Sequence, residues 1–202
     1  MHPDWVHLLF LIRKEEEKMK TKKMTLSAVM IALSAVLSMV KVYELPLGGS
    51  ITLLSMLPVA AIAICYGTKT GLFVSLIYAF LQIGLDLGKL MGYGMTPLTW
   101  IGCLVFDYII AFGAIGLAGI FRKRGTIGMC AGVALACVLR FISHFISGAI
   151  VFAVWCPEEW NVYLYSLVYN GSYMLPELIL TVAGALLLFR IPSIKKLIEE
   201  RQ

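Results

Sequence analysis

The feature that most constrains this chain is a series of long apolar blocks separated by short clusters of charged residues. Of its 202 residues, 60% are hydrophobic and 14% are charged, whereas a soluble domain carries about 25% charged residues. A helix that crosses a bilayer needs about 20 predominantly apolar residues. The sequence therefore predicts an all-α integral membrane protein with six transmembrane helices. The apolar blocks cover residues 24–40, 51–66, 71–87, 98–121, 127–155 and 166–189.

The distribution of lysine and arginine predicts the orientation of these helices. Most of the 17 basic residues fall before the first block, in alternate loops, and after the sixth block. Because basic loops stay on the cytoplasmic side, we expect both termini to be cytoplasmic. The predicted organisation is a cytoplasmic extension (1–23), a six-helix membrane domain (24–190) and a cytoplasmic tail (191–202).

Several classes of function are disfavoured by what the sequence lacks. The net charge of +5 follows from the loop asymmetry, so no nucleic-acid partner is expected. No GxxxxGKS/T phosphate-binding loop is present, which excludes ATP hydrolysis by this chain alone. The five cysteines form no CxxC pair, and their spacing does not indicate a metal site. We expect neither a metal nor a cofactor, and no enzymatic activity.

Four ionisable residues stand out inside the apolar blocks, where such groups usually mark a pathway or a site. Asp86, at the end of the third block, is counted instead with the outer loop that follows. The stretch RFISHFISG places Arg140 and His144 four residues apart, on one face of a helix. Counting residues along the predicted spans puts Arg140 and Glu177 at the same depth, which predicts a structural ion pair. Asp107 and His144 lie nearer the outer surface, and the sequence offers neither a dedicated partner.

Aromatic and polar residues crowd the level of Asp107 and His144. An acidic group surrounded by aromatic faces attracts a cation, and such a mixture is typical of a small-molecule pocket. The sequence therefore predicts an outward-facing pocket for a flat, cationic, heteroaromatic ligand. Asp107 would supply either its counter-charge or an acceptor for ring nitrogens. The crowded residues are Tyr108, Trp155, Tyr165, Tyr169, Asn170 and Tyr173.

Two further segments are candidates for a lid and for a docking surface. Residues 44–55, ELPLGGSITLLS, contain a pair of glycines, which permit backbone bending in either a lid over the pocket or an ordinary turn. In the first block, Ala28, Ala32 and Ala35 form a stripe of small residues. Such a stripe allows another helix to approach closely.

These motifs together resemble one family. The stretches TKKMTLSAVMIALSAVLS, LPLGGSITLLSMLP, FDYIIAFGAIGLAG, RFISHFISG and YSLVYNGSYMLPE are similar to those of the thiamin-specific substrate-binding (S) components of energy-coupling-factor (ECF) transporters, the ThiT/YuaJ family. The resemblance implies a six-helix protein of a prokaryotic plasma membrane that binds thiamin from outside with high affinity. It also implies partners: a transmembrane coupling subunit, two cytoplasmic ATPase subunits and the surrounding membrane lipid.

The resemblance also implies roles for particular residues. Ala28 and Ala32 match the docking motif in the first helix of the family. A tryptophan near the end of the fifth span stacks on the ligand in this family, and here Trp155 or Phe152 would take that place. In the first loop, Tyr43 and Glu44 stand where some members have a tryptophan and an acid. The matching ligand-binding residues are Asp107, Tyr108, His144, Tyr165 and Asn170, with Glu44 added from the first loop.

Three alternatives remain open at this point. The first is an S-component for another heteroaromatic vitamin or precursor. The second is a stand-alone, proton-coupled thiamin carrier in which Asp107 and His144 form the relay. The third is an intramembrane enzyme, which the absence of an obvious nucleophile or Lewis acid disfavours.

Overall fold

The computed structural model describes residues 4–201, with the side chains of residue 14 and of residues 17–201. The described chain is almost entirely helical, as predicted. A short hairpin of β1 (Lys41–Glu44) and β2 (Ser50–Thr52) is its one departure from an all-α fold among these residues. The helices are α1 (Asp4–Met39), α2 (Leu57–Tyr66), α3 (Thr68–Gly92), α4 (Pro97–Cys103), α5 (Ala111–Gly113), α6 (Gly125–Ile150), α7 (Val162–Arg190) and α8 (Pro192–Glu199).

Helix α4 does not end at a loop. A π-helical segment (Leu104–Ile110) continues it into α5, and a 3-10 segment (Ala114–Phe121) follows. These four pieces form one continuous rod, Pro97–Phe121, which we call the composite helix. Its mixed hydrogen-bonding pattern matters for the site, because π-helical turns are frequently found at functional sites.

Five of the six predicted spans are confirmed as helices long and apolar enough to cross a membrane. The described spans are Glu17–Met39, Thr68–Gly92, Pro97–Phe121, Gly125–Ile150 and Val162–Arg190. The count of six is not confirmed, because the block at 51–66 is divided between β2, a turn and α2. Helix α2 has 10 residues and is about 15 Å long, half the thickness of the hydrocarbon core.

The apolar side chains of α2 are buried inside the protein and do not face lipid. Val59, Ile62, Ala63 and Ile64 are all buried by their neighbours. A helix that is hydrophobic on every side can be a membrane span or a core helix. Composition alone therefore gave the same signal for α2 as for the longer helices.

The predicted boundary between an N-terminal extension and the first span is not a helix boundary. Helix α1 runs without interruption from Asp4 to Met39, through the charged run RKEEEKMKTKK. That run contains no proline or glycine and consists mainly of lysine and glutamate, which are good helix formers. The segment that can span a membrane begins only at Glu17.

The first loop of the predicted topology is an antiparallel hairpin. Tyr43 pairs with Ile51, and Glu44 pairs with Ser50. The turn is closed by the N–H of Leu45, which donates to the carbonyl oxygen of Gly49 at 2.7 Å. Gly48 adopts φ 89°, a backbone conformation that residues with a Cβ atom rarely adopt. The glycine pair therefore builds a tight, ordered turn.

Small residues let the composite helix pack backbone to backbone against its neighbours. A Cβ atom at Gly132 of α6 would collide with the carbonyl oxygen of Ala118, and one at Gly116 would collide with the backbone of Leu72 in α3. Close approach of this kind is typical of helices packed in membranes. It fixes α3 and α6 on two sides of the composite helix, which brings their polar side chains to a shared cavity.

Candidate ligand-binding site

A cavity of about 450 Å³ lies between the hairpin, α3, the composite helix, α6 and α7. Its volume falls in the range of about 300–1,000 Å³ that is usual for small-molecule pockets. The structure brings six of the seven predicted ligand-binding residues to its wall. These are Glu44, Asp107, Tyr108, His144, Tyr165 and Asn170.

Asp107 and Tyr108 sit on the π-helical segment of the composite helix. Asp107 was predicted to have no dedicated partner, and this prediction is wrong. Its Oδ1 lies 2.7 Å from Nδ1 of His144, and its Oδ2 accepts a hydrogen bond from the hydroxyl of Ser147. Since His144 and Ser147 are neighbours on α6, both carboxylate oxygens of Asp107 are oriented by one helix face.

The geometry around His144 defines its tautomer. Nε of Arg140 donates to Nε2 of His144 at 3.2 Å, and a guanidinium group can only donate. Nε2 is therefore the unprotonated nitrogen, so Nδ1 carries the proton and donates it to Asp107. Arg140 is also held by the ring of Phe112, whose centroid lies 4.3 Å from the guanidinium carbon. Arg140, His144 and Asp107 form a single hydrogen-bonded chain.

The predicted ion pair between Arg140 and Glu177 is wrong. The carboxylate of Glu177 accepts hydrogen bonds from the backbone N–H of Thr52 at 2.7 Å and from the hydroxyl of Thr52 at 2.7 Å. Arg140 is directed instead at His144 and Phe112. Counting residues along two helices gives their depth in the membrane but not the direction in which each side chain points. That direction separates Arg140 from Glu177 despite their similar depth.

A ladder of aromatic rings on α7 forms one wall of the cavity. The ring centroids of Tyr165 and Tyr169 are 6.0 Å apart, and those of Tyr169 and Tyr173 are also 6.0 Å apart. The ring of Tyr173 meets His144 edge to face, at 6.2 Å. This wall provides the aromatic faces that the sequence predicted at this level.

Trp155, the remaining predicted ligand-binding residue, does not line the cavity; Phe152 does. Helix α6 ends at Ile150, and Trp155 lies in a separate 3-10 turn. Its ring packs against Phe152 at 5.2 Å and against Tyr93 at 6.3 Å. Of the two residues considered for the stacking role, the structure places Phe152 at the cavity and Trp155 behind it.

Both polar atoms of the Asn170 side chain form hydrogen bonds to neighbouring groups of the protein. Its Nδ2 donates to the carbonyl oxygens of His144 at 3.2 Å and of Ser166 at 2.9 Å, and its Oδ1 accepts from the hydroxyl of Tyr173 at 2.7 Å. The side chain is 5% exposed. Asn170 therefore joins α6 to α7 and orients Tyr173. Its predicted contact with a ligand stays a prediction.

Sequence reasoning missed a polar stripe on α3. Tyr78, Gln82 and Asp86 are spaced by four residues, which places them on one helix face. Nε2 of Gln82 donates to the hydroxyl of Tyr78 at 3.0 Å, and Asp86 accepts from the hydroxyl of Tyr108 at 3.2 Å. Asp86 had been assigned to an outer loop, whereas it lies within α3 and at the cavity. The four-residue spacing was the signal that could have identified it.

The hairpin closes one side of the cavity and is tied to the surrounding helices. Glu44 pairs with Lys41 at 2.7 Å and with Lys89 of α3. Lys41 and then Lys89 lower the pKa of the Glu44 carboxyl below its usual value. On the opposite side, the N–H of Gly49 donates to the hydroxyl of Tyr169 at 3.3 Å. The segment predicted as a lid or a turn forms part of the cavity wall here, and its movement as a lid stays a prediction.

An aromatic cavity with acidic groups, enclosed by apolar helices long enough to span a bilayer, defines a multi-pass membrane protein with a small-molecule site. Comparison with known families gives a specific result: the model of the thiamine transporter protein family (Thia_YuaJ) matches residues 24–197. The chain belongs to this family, as the sequence motifs indicated.

Individual relatives agree with this assignment. The chain is 33% identical over 176 residues to thiamine transporter ThiT of Bacillus subtilis strain 168, covering 80% of this chain and 87% of that protein. It is 30% identical over 146 residues to thiamine transporter ThiT of Lacticaseibacillus paracasei, covering 65% and 70%. The solved structure of ThiT from Listeria monocytogenes matches with a TM-score of 0.70 over 89% of this chain and 98% of that one. At 21% identity, that likeness shows the fold.

Proposed function

We propose that this protein is the thiamin-binding, substrate-specificity subunit of an ECF-type vitamin transporter, and that it captures thiamin from the outer face of the cell membrane. The observation that carries the proposal is the cavity, with Asp107 and His144 joined on one side and the tyrosine ladder of α7 on another. Membership of the thiamine transporter protein family supports the identity of the ligand.

The chemistry of thiamin matches this wall. Thiamin has a flat aminopyrimidine ring, a quaternary thiazolium ring and a hydroxyethyl tail. Aromatic faces attract the cationic ring, and stacking contributes about 0.5–1.5 kcal/mol per ring pair beyond the burial of area. Asp107 can accept from the amino group of the pyrimidine, because a carboxylate has more acceptor positions than its two present donors use. Tyrosine hydroxyls can bind the tail.

The outer surface of α1 supports the proposed docking of an ECF coupling subunit. Ala28 and Ala32 are exposed, whereas Ser27 and Ser34 point from the same helix into the protein. A stripe of small side chains on a free helix face permits close approach of a second helix. In this proposal the coupling subunit binds α1, two ATPase subunits supply energy from the cytoplasm, and the chain itself is not an enzyme.

Thiamin titration of the purified protein tests the proposal. Trp155 packs against Phe152 at the cavity wall, so we expect thiamin to quench tryptophan fluorescence and to give a saturable heat in calorimetry. A panel of other vitamins and pyrimidine precursors serves as the specificity control. Absence of both signals with thiamin, or tighter binding of another vitamin, would reject the assignment of the ligand.

A second candidate function is a stand-alone, proton-coupled thiamin carrier. The direct contact between Asp107 and His144 favours it, because paired acidic and imidazole groups form proton relays in membrane carriers. Uptake of thiamin into vesicles that contain this chain alone, driven by a pH gradient, would support the carrier. Uptake that requires the coupling and ATPase subunits would support the S-component.

A further inference from the structure

Four carboxylates lie at or near the cavity, and three of them accept from two hydrogen-bond donors each. Glu177 receives two hydrogen bonds from Thr52 and is 2% exposed. Glu44 is paired with Lys41 and Lys89. Asp107 has each oxygen occupied, by His144 and by Ser147. Each of these three carboxylates therefore already accepts from two donors.

A cation lies one residue beyond the direct partners of Asp107. His144 is neutral in the tautomer defined above, but Arg140 donates to its far nitrogen. The imidazole thereby lies between a guanidinium and a carboxylate, and each charge stabilises the other across the ring. Asp107 is accordingly a fixed acceptor whose charge is partly compensated.

Asp86 differs from the other three acids. Its carboxylate accepts from the neutral hydroxyl of Tyr108, and it has no cation within ion-pair distance among the described residues. Lys89, one turn further along α3, is directed to Glu44 instead. Asp86 is half-buried and lies at the cavity, about 9 Å along α3 from its end at Gly92. Of the three carboxylates that line the cavity, Asp86 therefore has the fewest donors: one, against two each for Asp107 and Glu44.

We infer that Asp86 is a specificity-determining residue that supplies the counter-charge for the cationic ring of the ligand, while Asp107 acts as an oriented hydrogen-bond acceptor. The inference rests on the proposed function, and it assigns to two acids the two roles that the sequence offered for Asp107. An unpaired carboxylate attracts a nearby cation strongly when water is excluded. Asp86 therefore selects cationic over neutral ligands, and the hydroxyl of Tyr108 is a positioning group for it.

The test uses two ligands of nearly equal shape: thiamin, and its neutral thiophene isostere, in which carbon replaces the quaternary nitrogen. Calorimetry gives the affinity of each ligand for wild type, Asp86→Asn and Asp107→Asn. The amide in Asp86→Asn keeps an oxygen that can accept from Tyr108, so the fold is preserved. We expect Asp86→Asn to weaken thiamin by at least about tenfold and to leave the isostere unchanged. Asp107→Asn should weaken both ligands.

Glu159→Gln is the matched control, because it removes one acidic charge from the exposed loop between α6 and α7. It should leave both affinities unchanged, and melting temperatures establish that each variant is folded. Equal weakening of both ligands by Asp86→Asn, or no weakening of either, would overturn the role of Asp86. Failure of the wild type to bind thiamin would instead reject the proposed function, so the two failures are distinguishable.

Discussion

Glu177 holds the hairpin to α7 through a single residue, Thr52. Both carboxylate oxygens are used: one accepts from the backbone N–H of Thr52 at 2.7 Å and the other from its hydroxyl at 2.7 Å. Glu177 is 2% exposed, so this pair compensates a carboxylate that is removed from solvent. Thr52 is the last residue of β2 and lines the cavity. The position of the hairpin wall therefore depends on this contact.

Replacement of Thr52 by valine should destabilise the protein with little change in shape. Valine keeps the volume and the backbone donor but removes the hydroxyl, which leaves one oxygen of a buried carboxylate without its partner. Such an unsatisfied group costs about 1–3 kcal/mol. We expect a lower melting temperature and weaker thiamin binding, because the hairpin carries Glu44 and Gly49 of the wall. Thermal unfolding in detergent and calorimetry measure the two effects.

Thr181→Val provides the matched control for Thr52→Val. Thr181 is fully buried, one turn after Glu177 on α7, and its hydroxyl has no hydrogen-bond partner among the described residues. Removal of an unpaired buried hydroxyl is neutral or stabilising. An equal loss of stability in both variants would show that Thr52 acts through packing alone. Glu177→Gln should also lower the melting temperature, through Thr52 rather than through Arg140.

Asp107→Asn should abolish most of the thiamin affinity while the fold remains intact. The amide retains one oxygen that can accept from His144, but its nitrogen replaces the oxygen that accepts from Ser147. The side chain would then turn or lose one of its fixed bonds, and the ligand would lose an oriented acceptor. Fluorescence quenching measures the affinity, and the melting temperature reports the fold. Unaltered affinity would remove Asp107 from the site.

The sequence predicted the composition of the cavity better than its internal contacts. Asp107, His144 and Tyr165 were placed together because helix periodicity and depth can be counted from the sequence. Partner choice depends on the rotation of each helix about its axis, which counting does not give. Arg140 was therefore assigned to Glu177 rather than to His144. The contact between Glu177 and Thr52 additionally requires the hairpin, which periodicity does not predict.

Helix interruptions account for the other differences. Trp155 was assigned to the cavity as if α6 continued, but the helix ends at Ile150 and the following turn carries Phe152 to the wall instead. Asp86 was assigned to a loop because an acid near the end of an apolar block suggests a boundary. The four-residue spacing of Tyr78, Gln82 and Asp86 would have corrected this assignment, because it places Asp86 on the same helix face as the other two.

The tautomer of His144 is open to direct measurement. Nitrogen-15 spectra of the labelled protein at neutral pH should show His144 with a protonated Nδ1 and an unprotonated Nε2, because Arg140 donates to Nε2 and a guanidinium cannot accept. The chain has three histidines, so His144→Gln assigns the signal. In Arg140→Met the constraint on Nε2 is lost, and we expect a mixture of tautomers. A protonated Nε2 in the wild type would contradict the hydrogen-bonded chain.

The ion pairs of Glu44 should give a small, pH-dependent contribution to stability. Its pKa is lowered below the ordinary value of 4.5, by Lys41 first and then by Lys89. A lowered pKa in the folded state means that the stabilisation is complete above 4.5 and is lost as the pH falls through the folded-state value. Glu44 is 41% exposed, so solvent screening limits the effect to less than about 1 kcal/mol.

The measurement compares the melting temperatures of wild type and Glu44→Gln. From neutral pH down to about 5 the wild type should be slightly more stable by a constant amount, and the difference should disappear under more acidic conditions. High salt should also remove it, since exposed pairs are screened. A difference that grows as the pH falls below 4.5 has the opposite sign and would exclude these ion pairs as its source.

Ala28→Trp and Ala32→Trp should separate ligand binding from assembly. Both alanines are exposed on α1 and do not line the cavity, so thiamin affinity should stay at the wild-type value. A tryptophan at either position would hold an approaching helix away, because close packing requires small residues. We expect loss of co-purification with the coupling subunit and loss of thiamin uptake by the reconstituted complex.

Leu33→Trp is the control for these variants, because Leu33 is exposed on α1 but lies about 100° around the helix from Ala32. It adds the same bulk to the same helix on a different face. We expect the complex and uptake to be retained in this variant. If Leu33→Trp and Ala32→Trp impaired assembly equally, the small-residue stripe would not be the docking surface. If neither did, neither of these two faces of α1 would be the docking surface.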